Sequence, residues 1–145
     1  MKLINALGYA GLLPFVLLPL AYHLQWQFNL PQLLQLYMLY SALILGFMAG
    51  VLWPVLHQRA DSSQFSNDNS KLALLAVSFP VVSIVGLTLL ADYFLLLQTF
   101  LFALLRLVEY LTAINKQYPV SYQHLRHALT LVVCSSHLLM QGLMK

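Results

Sequence analysis

Long apolar runs separated by short polar segments follow one another along the whole chain. Five runs approach or exceed the roughly 20 residues that an α-helix needs to cross a bilayer. They lie at about 4–24, 33–54, 72–90, 93–114 and 124–143. The connections between most of them are short, so consecutive helices are expected to be antiparallel neighbours. The pattern predicts an all-α fold, in which residues 1–145 form a single transmembrane domain of five helices.

Composition leads to the same class of protein. The chain is 61% hydrophobic and only 8% charged, whereas soluble domains are about 25% charged. So few charged residues cannot cover the surface of a soluble globule. The net charge of +3 is small and scattered, which excludes a nucleic-acid footprint. Cys134 is the only cysteine, which excludes a disulfide within the chain.

The polar segments predict the arrangement in the membrane. Residues 57–71, HQRADSSQFSNDNSK, are expected to form a solvated cytoplasmic loop. Basic residues favour the cytoplasmic side, and a cytoplasmic N-terminus leaves only Lys145 outside among the loop cations. The inner side then holds the following residues: Lys2, Arg59, Lys71, Lys116 and Arg126. We therefore expect the C-terminus outside and the first run to be an uncleaved anchor.

Small residues in two helices predict close helix packing. Ala42, Gly46 and Gly50 are four residues apart and lie on one stripe of the second helix. Gly8 and Gly11 form a second shallow patch in the first helix. In lipid, small residues let helix backbones approach closely. We expect intrachain packing on the stripe; a homodimer face and a merely bent helix are the alternatives.

Three stretches resemble a known family of small membrane proteins. They are LGYAGLLPF at 7–15, YSALILGFMAGVLW at 40–53 and YQHLRHALTLVV at 122–133. The family is designated only as domain of unknown function three-four-two-nine, and it has bacterial members and mitochondrial relatives. The resemblance implies a multi-helix protein of the bacterial inner membrane and no particular activity. One departure is Leu52-Trp53-Pro54, where the family tends towards Trp-Gly.

Ionisable residues inside a span are the first candidates for function. Arg106 and Glu109 are three residues apart on the fourth helix, so they share a face and can pair. Tyr110 lies beside them, and its hydroxyl needs a partner at that depth. An ion pair that fixes neighbouring helices is the simpler interpretation. A proton relay or an anion-binding element is the alternative.

The histidines suggest three further possibilities. His23 and His137 lie on separate helices at similar depth and could ligate a haem iron from both sides. His124 and His127, with His57, could begin a metal site, but only Asp61 and Asp68 in the loop could complete it, so we predict no metal. We favour a basic cluster of His124 and His127 with Lys116 and Arg126, facing anionic lipid headgroups.

No sequence motif points to catalysis. A Walker-type phosphate loop, a serine–histidine–acid spacing and a CxxC pair are all missing. We predict a protein that is not an enzyme and needs no cofactor. The expected role is that of an accessory, scaffold or assembly component that contacts lipid, other membrane proteins or a second copy through its helices. A small proton-coupled or solute transporter using Arg106 and Glu109 is one alternative, and a haem-binding component of a redox complex is another.

Overall fold

The computed structural model describes residues 2–24, 29–52, 67–112 and 114–144, and their regular structure is helical throughout, without strands. The all-helical class predicted from the sequence is therefore confirmed for these ranges. The α-helices are α1 (Lys2–Ala10), α2 (Leu13–His23), α3 (Leu30–Gly50), α4 (Asn67–Leu89), α5 (Phe94–Leu111) and α6 (Val120–Leu143). Two 3₁₀ turns, Ala91–Tyr93 and Ile114–Gln117, precede and follow α5.

The first apolar run contains two helices, where the sequence suggested one over 4–24. Pro14 has no N–H for the carbonyl of Ala10, and its ring obstructs a continuous helix. It therefore lies in the first turn of α2, where no N–H is needed. The break frees the carbonyl of Gly11, and the hydroxyl of Tyr40 on α3 donates to it over 2.8 Å. A side chain of a neighbouring helix thus stabilises the break.

Other boundaries differ by a few residues. The helix α3 begins at Leu30 and ends at Gly50, while α4 begins at Asn67, inside the stretch 57–71 that we expected to be a loop. An apolar run marks only the part of a helix that lies in hydrocarbon, so polar first turns are missed. Most of the predicted loop, with His57, Arg59 and Asp61, falls outside the described residues.

Within the described residues, four helical stretches are long and apolar enough to cross a membrane. They are Ala6–His23, Leu30–Gly50, Lys71–Leu89 and Ala91–Leu111. Their outward side chains are apolar: Phe47 is 71% exposed and Leu74 is 75% exposed. A large exposed apolar surface is typical of a protein whose surroundings are lipid. The helix α6 is not among the four, so five spans and the orientation of the termini stay predictions.

The helices α3, α5 and α6 meet at the centre of the bundle. The helix α6 packs against α5, α2 and α1, while α3 packs against α4, α2 and α5. Five side chains are completely buried where the three central helices meet: Tyr37, Leu45, Phe102, Leu105 and Val133. Several polar side chains are buried in the same place, and they form the clusters described next.

Candidate functional site

An ion-pair cluster of Arg106, Glu109 and Arg126 joins the end of α5 to the start of α6. Arg106 Nη1 donates to Glu109 Oε2 over 2.7 Å, as the spacing of three residues predicted. Arg126 donates to the same oxygen from Nε over 3.1 Å and to Oε1 from Nη2. Glu109 is completely buried, and both of its oxygens accept from guanidinium groups. The cluster thus pairs a buried carboxyl group with two guanidinium groups.

Arg126 is the member of this cluster that the sequence placed elsewhere. We expected it among lipid-facing cations, but only 1% of it is exposed. Its Nη2 also donates to the carbonyl of Met48 over 3.2 Å. Met48 lies in the last turn of α3, where carbonyls lack helical partners and favour a cation. Arg126 therefore holds the ends of α3 and α5 beside the start of α6.

Two tyrosines enclose the Arg126 guanidinium. The rings of Tyr118 and Tyr122 each lie 5.7 Å from its central carbon, a distance typical of cation–π contacts. Arg126 Nη1 also donates to the hydroxyl of Tyr122 over 3.2 Å. Tyr118 lies in the connection between α5 and α6, where burial raises the pKa of its hydroxyl to about 12. The two ring contacts and the hydrogen bond help to hold Arg126 in place.

His127 extends the cluster to the surface. Its Nε2 is 2.7 Å from Arg106 Nη2. A guanidinium has no acceptor atom, so the imidazole must accept here, and its proton lies on Nδ1. His127 is exposed, as are His124 one turn earlier and Lys116 in the preceding 3₁₀ turn. The expected basic cluster therefore has exposed members, with Arg106 beneath them and Arg126 withdrawn into the core.

A second cluster lies further along α6 and contains Tyr37, Ser41, Ser136 and His137. Ser136 Oγ donates to the carbonyl of Phe15 over 2.5 Å. This carbonyl lacks its helical partner because Pro19, four residues later, has no N–H. Since the one hydroxyl proton of Ser136 is used there, Tyr37 must donate to Ser136 Oγ over their 2.7 Å contact. Ser136 thus supplies the hydrogen bond that the Phe15 carbonyl lacks because of Pro19.

His137 is completely buried beside this serine. Its Nε2 lies 2.8 Å from Ser41 Oγ, and its Nδ1 has no partner among the described residues. The rings of Phe15, Tyr37 and Phe102 surround it, with centroids 5.6 to 5.7 Å from that of the imidazole. These rings leave His137 little room for a large ligand.

His23, the second residue of the haem hypothesis, has different surroundings. It is exposed and lines the end of a groove of about 600 Å³ between α2 and α6. His137 does not line this groove. The haem hypothesis stays a prediction. In the described part of the chain, no three His, Cys, Asp or Glu side chains are grouped as a metal site would need.

The remaining candidate residues lie apart from both clusters. Tyr110 is 69% exposed, so it faces outwards from α5 and away from Glu109. Gln98, which the sequence patterns did not single out, is completely buried and donates to Ser83 of α4 over 2.5 Å. A glutamine within an apolar helix is the signal that could have identified this contact.

The small residues differ in what they contact. A Cβ built at Gly8 would come within 2.5 Å of Leu125 on α6, so this glycine permits a close approach. One built at Gly46 would lie 3.6 Å from Pro80 on α4. One at Gly50 would meet no atom of the described residues within 4 Å. Ala42 is partly buried against the core, and Gly11 lies at the break between α1 and α2.

Comparison with known proteins identifies the family. The chain matches the family model described as Protein of unknown function (DUF3429) over residues 1–141. Because the match covers nearly the whole chain, the protein belongs to this family, as the resemblance of three short stretches had indicated. No curated protein and no solved structure matches it significantly.

Proposed function

We propose that the protein is a multi-pass protein of the bacterial inner membrane that acts as a non-enzymatic accessory or assembly component through helix contacts. One observation carries the proposal: the buried charges of the described bundle are directed at one another. Glu109 is held by two guanidinium groups, and Arg126 also binds the end of α3. Charged side chains that already bind one another stabilise the bundle and are poorly available to a substrate.

The proposed topology has five spans, with the N-terminus in the cytoplasm and the C-terminus outside. The bonds from Arg126 to Met48 and Glu109 bring the ends of α3 and α5 together with the start of α6. Lys116 lies at the same end, between α5 and α6. Such a basic end is favoured on the cytoplasmic side.

The transporter alternative has weaker support. Arg126 and His137 are eleven residues apart on α6, which is about 16 Å of helix. Between the two polar clusters, each central helix contributes a completely buried apolar residue: Leu45, Leu105 and Val133. A proton would have to cross this apolar layer between the two clusters. Glu109 is also poorly placed to carry it, because both of its oxygens already accept hydrogen bonds from guanidinium groups.

The experiment is affinity purification of the tagged protein from native membranes in mild detergent, followed by quantitative mass spectrometry. We expect a membrane protein to co-purify at a fixed ratio, and the same ratio after a Tyr110→Phe substitution, which removes only an exposed hydroxyl. A species containing only this chain would contradict the accessory role.

Proton uptake into proteoliposomes tests the alternative. We expect no uptake by the wild type above that of empty vesicles. Uptake by the wild type above that of empty vesicles would support the transporter and overturn the accessory proposal.

A further inference from the structure

One lysine and two histidines are exposed where α5 ends and α6 begins. Lys116 lies in the 3₁₀ turn between the helices, while His124 and His127 lie one turn apart at the start of α6. Residues at this helical spacing project from the same face. The turn and the helix therefore present an ammonium and two imidazoles at one end of the bundle, next to the expected membrane surface.

A buried charge lies beneath them. Arg106 is only 9% exposed and is fixed between Glu109 and His127 by contacts of 2.7 Å each. Arg106 therefore places a guanidinium group directly beneath His127.

From this arrangement we propose that Lys116, His124 and His127 bind the phosphate headgroup of an anionic lipid. The contact with Arg106 places the His127 proton on Nδ1, which makes that atom a donor. The Lys116 ammonium supplies up to three further donors. Apolar side chains continue the surface: Val120 and Leu131, on the same face of α6, are each 68% exposed. Headgroup and acyl chains thus both have a suitable surface.

The site itself does not depend on the accessory role; only its position in the inner leaflet depends on the proposed topology. The chemistry is that of a phosphate ester, which a lipid carries at the membrane surface and free phosphate resembles. Apolar side chains on both sides of the histidines favour the lipid.

The test is native mass spectrometry of the detergent-solubilised full chain, titrated with phosphatidylglycerol or phosphatidylcholine. We expect the wild type to bind phosphatidylglycerol at least fivefold more tightly than phosphatidylcholine. The double variant Lys116→Gln/His124→Gln should weaken phosphatidylglycerol binding about fivefold or more, since one cation near an anionic surface contributes about that factor. The matched control is His23→Gln, because His23 is also an exposed histidine but lies at the last residue of α2, outside the proposed site. This variant should bind like the wild type.

Three results would overturn the proposal. The double variant could keep the full preference for phosphatidylglycerol, or His23→Gln could lose it equally. In a competition arm, inorganic phosphate at millimolar concentration could displace the lipid in a manner that depends on Lys116 and His124, which would assign the site to a soluble anion. Because the substituted side chains are exposed, unchanged thermal unfolding should accompany the loss of binding. None of these results bears on whether a protein partner co-purifies.

Discussion

A carboxylate inside a bilayer raises the free energy of the folded state unless cations and hydrogen bonds compensate it. Glu109 has this compensation from Arg106 on its own helix and from Arg126 on the next. Removing the carboxylate would leave both guanidinium groups in the bundle without their anion. The cost of a substitution here should therefore exceed that of losing one hydrogen bond.

We expect Glu109→Gln to lower the free energy of unfolding by about 3–5 kcal/mol, the usual cost of breaking a buried ion pair. Chemical denaturation in detergent, followed by circular dichroism, measures it. The control is Asp92→Asn, which removes an exposed carboxylate from the turn before α5 and should change stability by less than about 0.5 kcal/mol. Equal stability of the two variants would contradict the role assigned to Glu109.

Pro19 and Ser136 are a second pair of residues whose effects on stability should depend on each other. Ser136→Ala removes the donor for the Phe15 carbonyl and the acceptor for Tyr37. Leaving such groups unsatisfied should destabilise the fold by about 1–3 kcal/mol. Ser135→Ala, next to it and exposed, should have little effect.

The pair allows a sharper test by a double-mutant cycle. Pro19→Ala restores an N–H that can bind the Phe15 carbonyl within α2. In that background, Ser136→Ala should cost measurably less than it does in the wild type, with both costs obtained from thermal unfolding in detergent. An identical cost in both backgrounds would show that the serine does not compensate for the proline.

At the scale of elements, the stripe of small residues on α3 is not uniform. A side chain at Gly46 would meet Pro80 of α4, while one at Gly50 would meet no described atom within 4 Å. We expect Gly46→Ile to separate α3 from α4 and to destabilise the protein by about 1–3 kcal/mol, the usual effect of overpacking. Gly50→Ile serves as the matched control and should change the melting temperature in detergent much less. The reverse order of the two variants would contradict this packing.

The sequence predicts the helices and the contacts within a helix better than the contacts between helices. Apolar runs predict the helices, and the spacing of Arg106 and Glu109 predicts their pairing, because both depend on neighbours within a turn or two. The pairing of Arg126 with Glu109 depends on how α6 is aligned against α5, which no local pattern fixes. Ser41 and His137 are 96 residues apart in the chain, so no local pattern predicts their contact either.

The break at Gly11 shows the same limit within a single apolar run. Pro14 and Pro19 are both visible in the sequence, but only the first ends a helix. The helix α2 continues through Pro19, and Ser136 of α6 binds the carbonyl that this proline frees. Tyr40 binds a freed carbonyl at the break as well, so tertiary packing supplies a partner in both cases, and no local pattern identifies it.

For the whole molecule, the status of α6 decides the topology. This helix is 24 residues long, enough to cross a bilayer, but its polar residues reduce its hydropathy. Arg126, Ser136 and His137 are buried against the other helices. A helix whose polar face is covered by protein can lie in a membrane without exposing that face to lipid. We therefore expect α6 to be the fifth span.

Fusions to alkaline phosphatase, which is active only outside the cytoplasm, test this expectation in bacterial cells. A fusion after Lys145 should be active and one after Gln117, between α5 and α6, should be inactive. A fusion after Asp92, before α5, provides the positive reference for the outer side. If the fusions after Gln117 and Lys145 were both inactive, α6 would not cross, and the bundle would have four spans. If the fusion after Gln117 alone were active, the orientation would be reversed, and the basic end with Lys116, His124 and His127 would face the opposite leaflet.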